Sequence, residues 1–363
     1  MRMGTAYLPL HHGRAPAWLF HRMKELAREI SLVIIDQFGP MEMLRRLSDP
    51  FWFQSFGCVL GFDWHSSGLT TTLCGALKEG LLGTERDSGL FIAGGKGRVS
   101  RKTPVEIEDF CDRFSVEARG LVYASKMTAK VDSAALQDGY QLYHHCFFFT
   151  KEGSWCVVQQ GMNGYTGYAR RYHWMGHGLG SFVCEPHSAI CCDYRDKVLN
   201  MVASESEGIR QMTTQIASEH PDRIASEIQR LRNLGFPRGH EVVLGDRGER
   251  WLMKVLERTH EQQPVDFETL LSTRWVGAKT ILALALISEL IYGVEPSFRD
   301  PVKFSFAHGG KDGHPYPVDR ENYDLSIEVI RQALSSSKVG RGEKLKAMRR
   351  LAFFESQHMP LKE

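Results

Sequence analysis

A near-continuous apolar run, Ile281 to Tyr292, constrains the fold of this chain more than any other feature of its sequence. The run is rich in Leu and Ala and is too long for a typical strand, so it predicts a buried helix. Gly293 follows at once, and glycine is the residue that most often ends a helix. We therefore expect the C-terminal part of the chain to be organised around one buried helix.

A second, shorter helix is expected to begin at Phe267 and to be joined to the first by a tight turn. Two helices with this connection resemble the helix-hairpin-helix module, which binds DNA without regard to sequence by directing backbone N–H groups at a phosphate. Trp275 stands where that module usually has its first glycine, and it could stack on a ligand. The resemblance implies DNA contacts from Trp275, Gly277, Lys279 and Thr280. The alternative is a simple turn within a packed helical bundle.

A long loop, Val294 to Pro317, follows the hairpin and leads through Asp319 into another predicted helix. This order resembles the helix-hairpin-helix DNA glycosylases. By that resemblance Lys279 would form a Schiff base with the sugar carbon, and Asp319 would assist deprotonation and stabilise positive charge on the sugar. Lys311, within the loop, would contact DNA. The alternative role for Asp319 is a helix N-cap.

The segment from Ala118 to Ile190 is the β-rich part of the chain, with a hairpin predicted around the turn 150–153. Polar residues are dense here. Asp132, Asp138 and Glu185 could hold Mg²⁺ for phosphodiester chemistry, with a histidine as the base, for which His145 is the candidate. Buried polar residues satisfied within the fold are the alternative. No defensible metal-binding motif is present, so the metal and any cofactor stay open. Arg170 and Arg171 are further candidates for DNA contact.

Two loops outside the β-rich segment also carry candidate ligand-binding residues. A glycine-rich loop after a predicted strand at Leu90–Ala93 is interpreted as flexible and suited to a nucleic-acid backbone. A solvated loop, or a site for a small phosphorylated ligand, is the alternative. The polar loop before Gly68 contains His65, a candidate catalytic residue, although helix capping would explain the loop nearly as well. The basic residues of the first loop are Lys96, Arg98, Arg101 and Lys102.

Length and composition limit the classes of protein this chain can belong to. The chain has 363 residues, 42% of them hydrophobic, and a formal net charge of only +2. The length and apolar content indicate two domains. Because the composition shifts from β-rich to helical at Asp196, we predict an α+β fold with a mixed domain containing a β-rich sheet at 1–195 and a mostly helical domain containing the hairpin at 196–363. No membrane-spanning segment or leader is expected, so a cytoplasmic location is predicted. The eight cysteines are expected to be reduced and mostly buried, and the oligomeric state stays open.

Short motifs along most of the chain resemble a prokaryotic family, prominent in thermophiles, known as the domain-of-unknown-function family seven-sixty-three. This resemblance implies membership of the family, and it implies no particular activity. The motifs that carry it include Leu8-Pro9-Leu10-His11, Gly61-Phe62-Asp63-Trp64-His65, Gln137-Asp138-Gly139-Tyr140, Ala169-Arg170-Arg171-Tyr172-His173-Trp174 and Phe304-Ser305-Phe306-Ala307-His308.

Together these features predict a DNA-binding protein that repairs or processes DNA, either as a glycosylase or lyase or as a metal-dependent nuclease. A DNA-binding module without enzymatic activity, or an enzyme acting on a small phosphorylated ligand, is the alternative.

Overall fold

The fold is α+β and is built on an antiparallel sheet. A computed structural model of the protein describes residues 15–62, 67–234, 246–304, 328 and 330–358. Five strands lie in the order β1-β3-β4-β5-β6, and β2 pairs separately with β7. The strands are β1 Leu90–Lys96, β2 Leu136–Gln137, β3 Gln141–Thr150, β4 Trp155–Met162, β5 Ala169–Met175, β6 Ala189–Cys191 and β7 Leu199–Asn200.

The hairpin predicted in the β-rich segment is confirmed as β3 and β4. Phe149 lies opposite Trp155, and the same register continues along β3 as far as His144, which brings His145 opposite Gln159. Side chains alternate between the two faces of a strand, so His145 and Phe147 face one side of the sheet and Cys146 faces the other. Each face therefore has its own hydrophobic core.

Thirteen labelled helices cover the sheet in the described parts of the chain. The first begins after Pro16 and ends before Gly39. Asp49 caps the third helix, because its side chain accepts hydrogen bonds from the Phe51 and Trp52 N–H groups. The helices are α1 Ala17–Phe38, α2 Pro40–Ser48, α3 Pro50–Val59, α4 Gly68–Gly80, α5 Glu85–Ser88, α6 Thr103–Phe114, α7 Arg119–Lys130, α8 Glu207–Ser218, α9 Pro221–Leu234, α10 Asp246–Gln262, α11 Phe267–Ser272, α12 Ala278–Tyr292 and α13 Arg341–His358.

The two cores differ in the segments that build them. The first contains side chains of α1 to α4 together with Ile330, Leu334 and Leu351 from the C-terminal segment. The second contains side chains of α6 to α8 and α10 to α12 packed against Phe147 and Phe149. Residues on both sides of position 196 contribute to the second core. The division of the chain into two domains at that position stays a prediction.

The buried helix predicted from the apolar run is confirmed as α12. Most of its side chains are buried, and Gly293 ends it in the left-handed conformation with φ of 68°. None of the helices in the described ranges is long and apolar enough to cross a membrane.

The predicted flexible loop after β1 is instead regular structure. Residues Gly97–Lys102 form a 3₁₀ turn that passes directly into α6. Gly94 permits this path, because its φ is +88° and a Cβ there would lie 2.2 Å from the His145 carbonyl oxygen. The backbone of β1 thus approaches β3 closely beside His145.

Candidate active site

A pocket of about 530 Å³ opens between α7, the β3–β4 hairpin and α11. Its lining is mixed, with a polar floor and basic residues among its walls. The residues that line the pocket include Arg101, Tyr123, Ser125, Lys126, Lys130, Ser133, His145, Gln159 and Ser272.

Three side chains of the pocket form a continuous chain of hydrogen bonds. The Ser125 hydroxyl lies 2.9 Å from Nε2 of His145, and Nδ1 of His145 lies 2.7 Å from Oε1 of Gln159. Ser125 comes from α7, and the other two residues are direct neighbours across β3 and β4. All three are buried, so the chain is shielded from competition by bulk water.

The chain of hydrogen bonds ends at the carboxylate of Asp132. Gln159 Nε2 donates to Oδ2 of Asp132 at 2.6 Å, and Trp174 Nε1 donates to the same oxygen at 2.9 Å. His187 Nε2 lies 2.5 Å from the other oxygen, Oδ1. Asp132 sits in a π-helical segment, Val131–Ala135, which follows α7 directly. Such local π-helical turns often occur at functional sites.

The direction of these hydrogen bonds sets the tautomer of His145. Because Gln159 uses its N–H to reach Asp132, its oxygen faces His145 and accepts the proton on Nδ1. Nε2 is then free to accept the hydroxyl proton of Ser125. Burial lowers the pKa of His145, while the bond to Gln159 and the charge of Asp132 act in the opposite direction. A neutral imidazole beside a serine hydroxyl is the arrangement of a general base and its nucleophile.

Basic residues line the same pocket as the Ser125 hydroxyl. Lys126 and Lys130 are one helical turn apart on α7, and Arg101 comes from the 3₁₀ turn on the opposite wall. Lys130 donates to the Thr273 carbonyl at 3.1 Å, and burial lowers its pKa. The pocket is therefore suited to an anionic substrate.

The hairpin between α11 and α12 adjoins this pocket through Ser272 and Thr273. Trp275 is exposed and has φ of 76°, a left-handed conformation that glycine adopts without strain. Its ring lies 5.0 Å from the guanidinium groups of both Arg258 and Arg274. A Cβ at Gly277 would meet only the Trp275 carbonyl at 4.0 Å, so the space in front of the turn is open.

Lys279 is exposed in the first turn of α12, whereas the Thr280 side chain is buried and can offer only its backbone. The basic residues Lys96, Arg98, Arg101 and Lys102 are all exposed. His65, Lys311 and Asp319 lie outside the described residues.

The two adjacent arginines predicted to contact DNA are buried, and we remove them from that set. Arg170 donates to Asp138 at 3.0 Å and to Asp300 at 2.7 Å. Arg171 donates to Nε2 of His173 at 2.8 Å and to Gln54. Both guanidinium groups are buried and paired inside the protein, so neither faces a ligand on the surface.

Two of the three carboxylates expected to hold Mg²⁺, Asp132 and Asp138, are each occupied by protein donors. Asp138 accepts from Arg170, from the Tyr172 hydroxyl at 2.7 Å and from the Tyr140 N–H at 3.1 Å. Burial raises its pKa, against the effect of Arg170. Asp132 accepts from three side chains, as described above. Oxygens in such use are poor ligands for a hard cation, so this geometry favours roles in positioning and stability.

Sequence reasoning identified His145 and Asp132 but missed Ser125 and Gln159 as their partners. One signal was present in the hairpin. Counting away from the turn in both directions brings His145 opposite Gln159 and His144 opposite Gln160, a cluster of polar residues beside an apolar part of the hairpin. No comparable signal predicts Ser125, because its contact depends on how α7 docks against the sheet.

The fold and site define an α+β protein with a buried serine–histidine–glutamine–aspartate network at the base of a basic pocket. Residues 4–318 match the family described as "Protein of unknown function (DUF763)", and the chain belongs to that family. Comparison with curated proteins gave no match, and neither did comparison with solved structures.

Proposed function

We propose that this protein is a nucleic-acid-processing hydrolase that cleaves a phosphodiester with Ser125 as nucleophile and His145 as general base. The observation that carries the proposal is the hydrogen-bonded chain from Ser125 to Asp132, which opens onto a pocket containing Lys126, Lys130 and Arg101. Nucleophile, base and orienting group are in hydrogen-bond contact, which is the geometric requirement for this chemistry.

In the first step the Ser125 oxygen attacks phosphorus while its proton moves to Nε2 of His145. The bond from phosphorus to one nucleoside oxygen breaks, and the protonated His145 returns the proton to that oxygen. In the second step His145 takes a proton from water, the resulting hydroxide attacks phosphorus, and the serine oxygen leaves and recovers its proton. Lys126 and Lys130 stabilise the negative charge that develops on the phosphoryl oxygens.

Gln159 and Asp132 act through His145 and are positioning residues. Gln159 holds the imidazole in the tautomer that presents an unprotonated Nε2 to Ser125. Asp132 orients Gln159 and contributes a negative charge beyond it, which stabilises the imidazolium formed when the serine is deprotonated.

Nucleic acid is the favoured substrate because the pocket adjoins the hairpin. Exposed Trp275 offers a ring on which a base can stack. The first hydrogen bond of α12 runs from the Ile281 N–H to the Gly277 carbonyl, so the N–H groups before Ile281 are free of intrahelical bonds and can donate to a phosphate. A strand held at this turn would have its neighbouring phosphates beside Ser272 and Lys130, at the edge of the pocket.

A fluorophosphonate probe tests the nucleophile without knowledge of the natural substrate. The probe is attacked by an activated serine oxygen, which forms a bond to phosphorus and displaces fluoride. We expect stoichiometric labelling of wild-type protein, mapped to Ser125 by mass spectrometry, and no labelling of Ser125→Ala. Ser133→Ala is the matched control, because Ser133 also lines the pocket but is exposed and has no histidine partner in the described network. Failure of folded wild-type protein to react would remove Ser125 as nucleophile.

Labelled single- and double-stranded oligonucleotides test the substrate. We expect cleavage in the presence of EDTA that is lost in Ser125→Ala, with binding retained. Cleavage that needs a divalent metal and survives Ser125→Ala would favour a nuclease of another mechanism. Binding without cleavage or probe labelling would favour a non-enzymatic DNA-binding module.

Lys279 supports a second candidate function, an abasic-site lyase. It is exposed in the first turn of α12, where its amine can reach a ligand held at the hairpin. Borohydride would then trap a covalent adduct between the protein and abasic DNA, and Lys279→Ala would abolish it. Lys303, an exposed lysine outside the hairpin, supplies the control Lys303→Ala.

A further inference from the structure

The geometry points to a binding site for a thiophilic transition-metal ion, of the Zn²⁺ or Cu⁺ type, formed by Cys74, His144 and Cys146 on the face of the sheet opposite Ser125. One ligand atom from each residue lies within 4.8 Å of the other two, which is the separation expected of donors around one ion. Among the described residues this is the one group of three such ligands found.

The three residues are positioned by rigid elements. His144 and Cys146 occupy alternate positions of β3 and therefore face the same side, where Cys74 of α4 packs against them. All three are buried. A site held by a strand and a helix needs little rearrangement to bind an ion.

His144 provides the observation that requires an explanation. Both of its ring nitrogens are buried and have no hydrogen-bond partner. Leaving a buried polar atom unsatisfied destabilises the folded state, so an imidazole with two such atoms is unusual in a folded protein.

Two further unsatisfied oxygens lie on the neighbouring positions. Gln160 of β4 is directly opposite His144, and its Oε1 has no partner although its Nε2 donates to the Ser67 carbonyl. Thr70 is one helical turn before Cys74 on α4, and its hydroxyl is also buried without a partner. Either oxygen is a candidate fourth ligand for an ion bound by the three residues.

The ligand chemistry selects the ion. Two thiolates and an imidazole suit Zn²⁺ or Cu⁺ and are poor ligands for Mg²⁺ or Ca²⁺, which prefer oxygen. Two thiolates would also neutralise Zn²⁺, so that no net charge is added to an apolar core.

Metal analysis of the full chain, purified without a chelator, tests the site. We expect about one equivalent of zinc or copper per chain. Cys74→Ser and Cys146→Ser should each lose it. Cys111→Ser is the matched control, because Cys111 is buried in the core on the other face of the sheet and should leave the metal content unchanged.

Cobalt substitution of wild-type protein tests the site independently of the cysteine variants, which could fail to fold. Reduced wild-type protein, stripped of metal and loaded with Co²⁺, should develop a thiolate-to-cobalt charge-transfer band that zinc removes. Absence of both bound metal and this band in folded wild-type protein would overturn the proposal. So would a disulfide between Cys74 and Cys146 in unreduced protein. Neither result bears on Ser125, whose labelling is measured separately.

Discussion

Ser125 and His145 meet across the interface between a helix and a sheet, with 2.9 Å between the serine oxygen and Nε2 of the imidazole. The contact joins α7 to β3, and Gln159 on β4 extends it to Asp132 at the end of α7. The four residues therefore form a closed path that leaves the helix, crosses two strands and returns to the segment that continues the helix. This closure holds the hydroxyl and the base in one relative position.

Replacing Gln159 with Leu breaks that path. His145 loses the acceptor that fixes its tautomer, so we expect the rate of Ser125 labelling to fall by about 100-fold. Asp132 loses one donor while it stays buried, which should lower the free energy of unfolding by about 2 kcal/mol. Labelling kinetics and urea unfolding measure the two effects.

Gln137→Leu is the control for that experiment, because Gln137 donates only to the Ala134 and Ala278 carbonyls. We expect it to lose stability and to keep the wild-type labelling rate. Equal labelling rates in wild-type protein and Gln159→Leu would contradict the positioning role.

The pH dependence of labelling reports the protonation of His145. Burial lowers its pKa below the ordinary value of 6.5, so the base is unprotonated through neutral pH. We expect the rate to stay level as pH falls to 6.5 and to decline only in more acidic solution. A decline centred above pH 6.5 would assign the base to another group. Rates should be measured only where circular dichroism shows folded protein.

His173 should make the protein sensitive to acid. Burial and the neighbouring Arg171 lower its pKa well below 6.5, and it accepts from Arg171 in the neutral form. Below pH 6.5 the unfolded chain therefore binds a proton that the folded protein excludes, and stability falls with decreasing pH. One such proton contributes about 1.4 kcal/mol per pH unit.

His173→Gln keeps a hydrogen-bond acceptor but cannot titrate. Between pH 6.5 and 5 it should reduce the slope of unfolding free energy against pH by an amount that corresponds to at most one bound proton. The remaining dependence includes buried His145, whose pKa is also lowered. An unchanged slope would show that His173 does not contribute.

Gly94 and Gly153 form a matched pair for testing the close approach of β1 to β3. A Cβ at Gly94 would lie 2.2 Å from the His145 carbonyl oxygen and 2.4 Å from Oγ1 of Thr103, whereas at Gly153 nothing lies within 4 Å. Both have positive φ, so Ala at either position carries backbone strain of about 1 kcal/mol. We expect Gly94→Ala to destabilise by about 3 kcal/mol or more and to slow labelling, because His145 must move.

Gly153→Ala should be destabilised only by the backbone strain, and it should retain the wild-type labelling rate. Urea unfolding and probe kinetics of the two variants provide the comparison, and similar losses at both positions would argue against tight packing at Gly94.

Two substitutions of Trp275 distinguish its effect on the backbone conformation of the turn from its effect on DNA binding. Its φ of 76° is accessible to glycine but strained for alanine, so Trp275→Gly should be more stable than Trp275→Ala by about 1 kcal/mol. Both variants lose the ring, and we expect each to weaken binding of single-stranded DNA by about tenfold. Trp251→Ala is the control, since Trp251 is similarly exposed on α10, at 42% against 46% for Trp275. Fluorescence anisotropy at fixed salt measures binding, and an equal loss in all three variants would remove Trp275 as a specific contact.

Local elements of the fold could be predicted because they depend on neighbouring residues in the chain. Pro16 and Gly39 delimit α1, the apolar run forms α12, and the turn at 150–153 joins β3 to β4. Periodicity and turn chemistry contain this information. The glycine-rich segment after β1 was mistaken for a loop, because Gly94 serves a close approach that only the packed structure reveals.

The candidate site could be predicted only in part. Asp132 and His145 were chosen for their chemistry, but the same reasoning placed Arg170 and Arg171 on a surface where they are not found. Residue type alone does not distinguish a buried, paired charge from an exposed one.

The sequence by itself determined the positions of α12 and of the β3–β4 hairpin, and it determined that His145 faces Gln159 once the hairpin forms. Tertiary structure decided that Ser125 contacts His145, that Asp132 accepts from Gln159, and that His144 faces Cys74. Those contacts join segments far apart in the chain. Their geometry follows from the packing of helices onto two faces of one sheet, which no local pattern specifies.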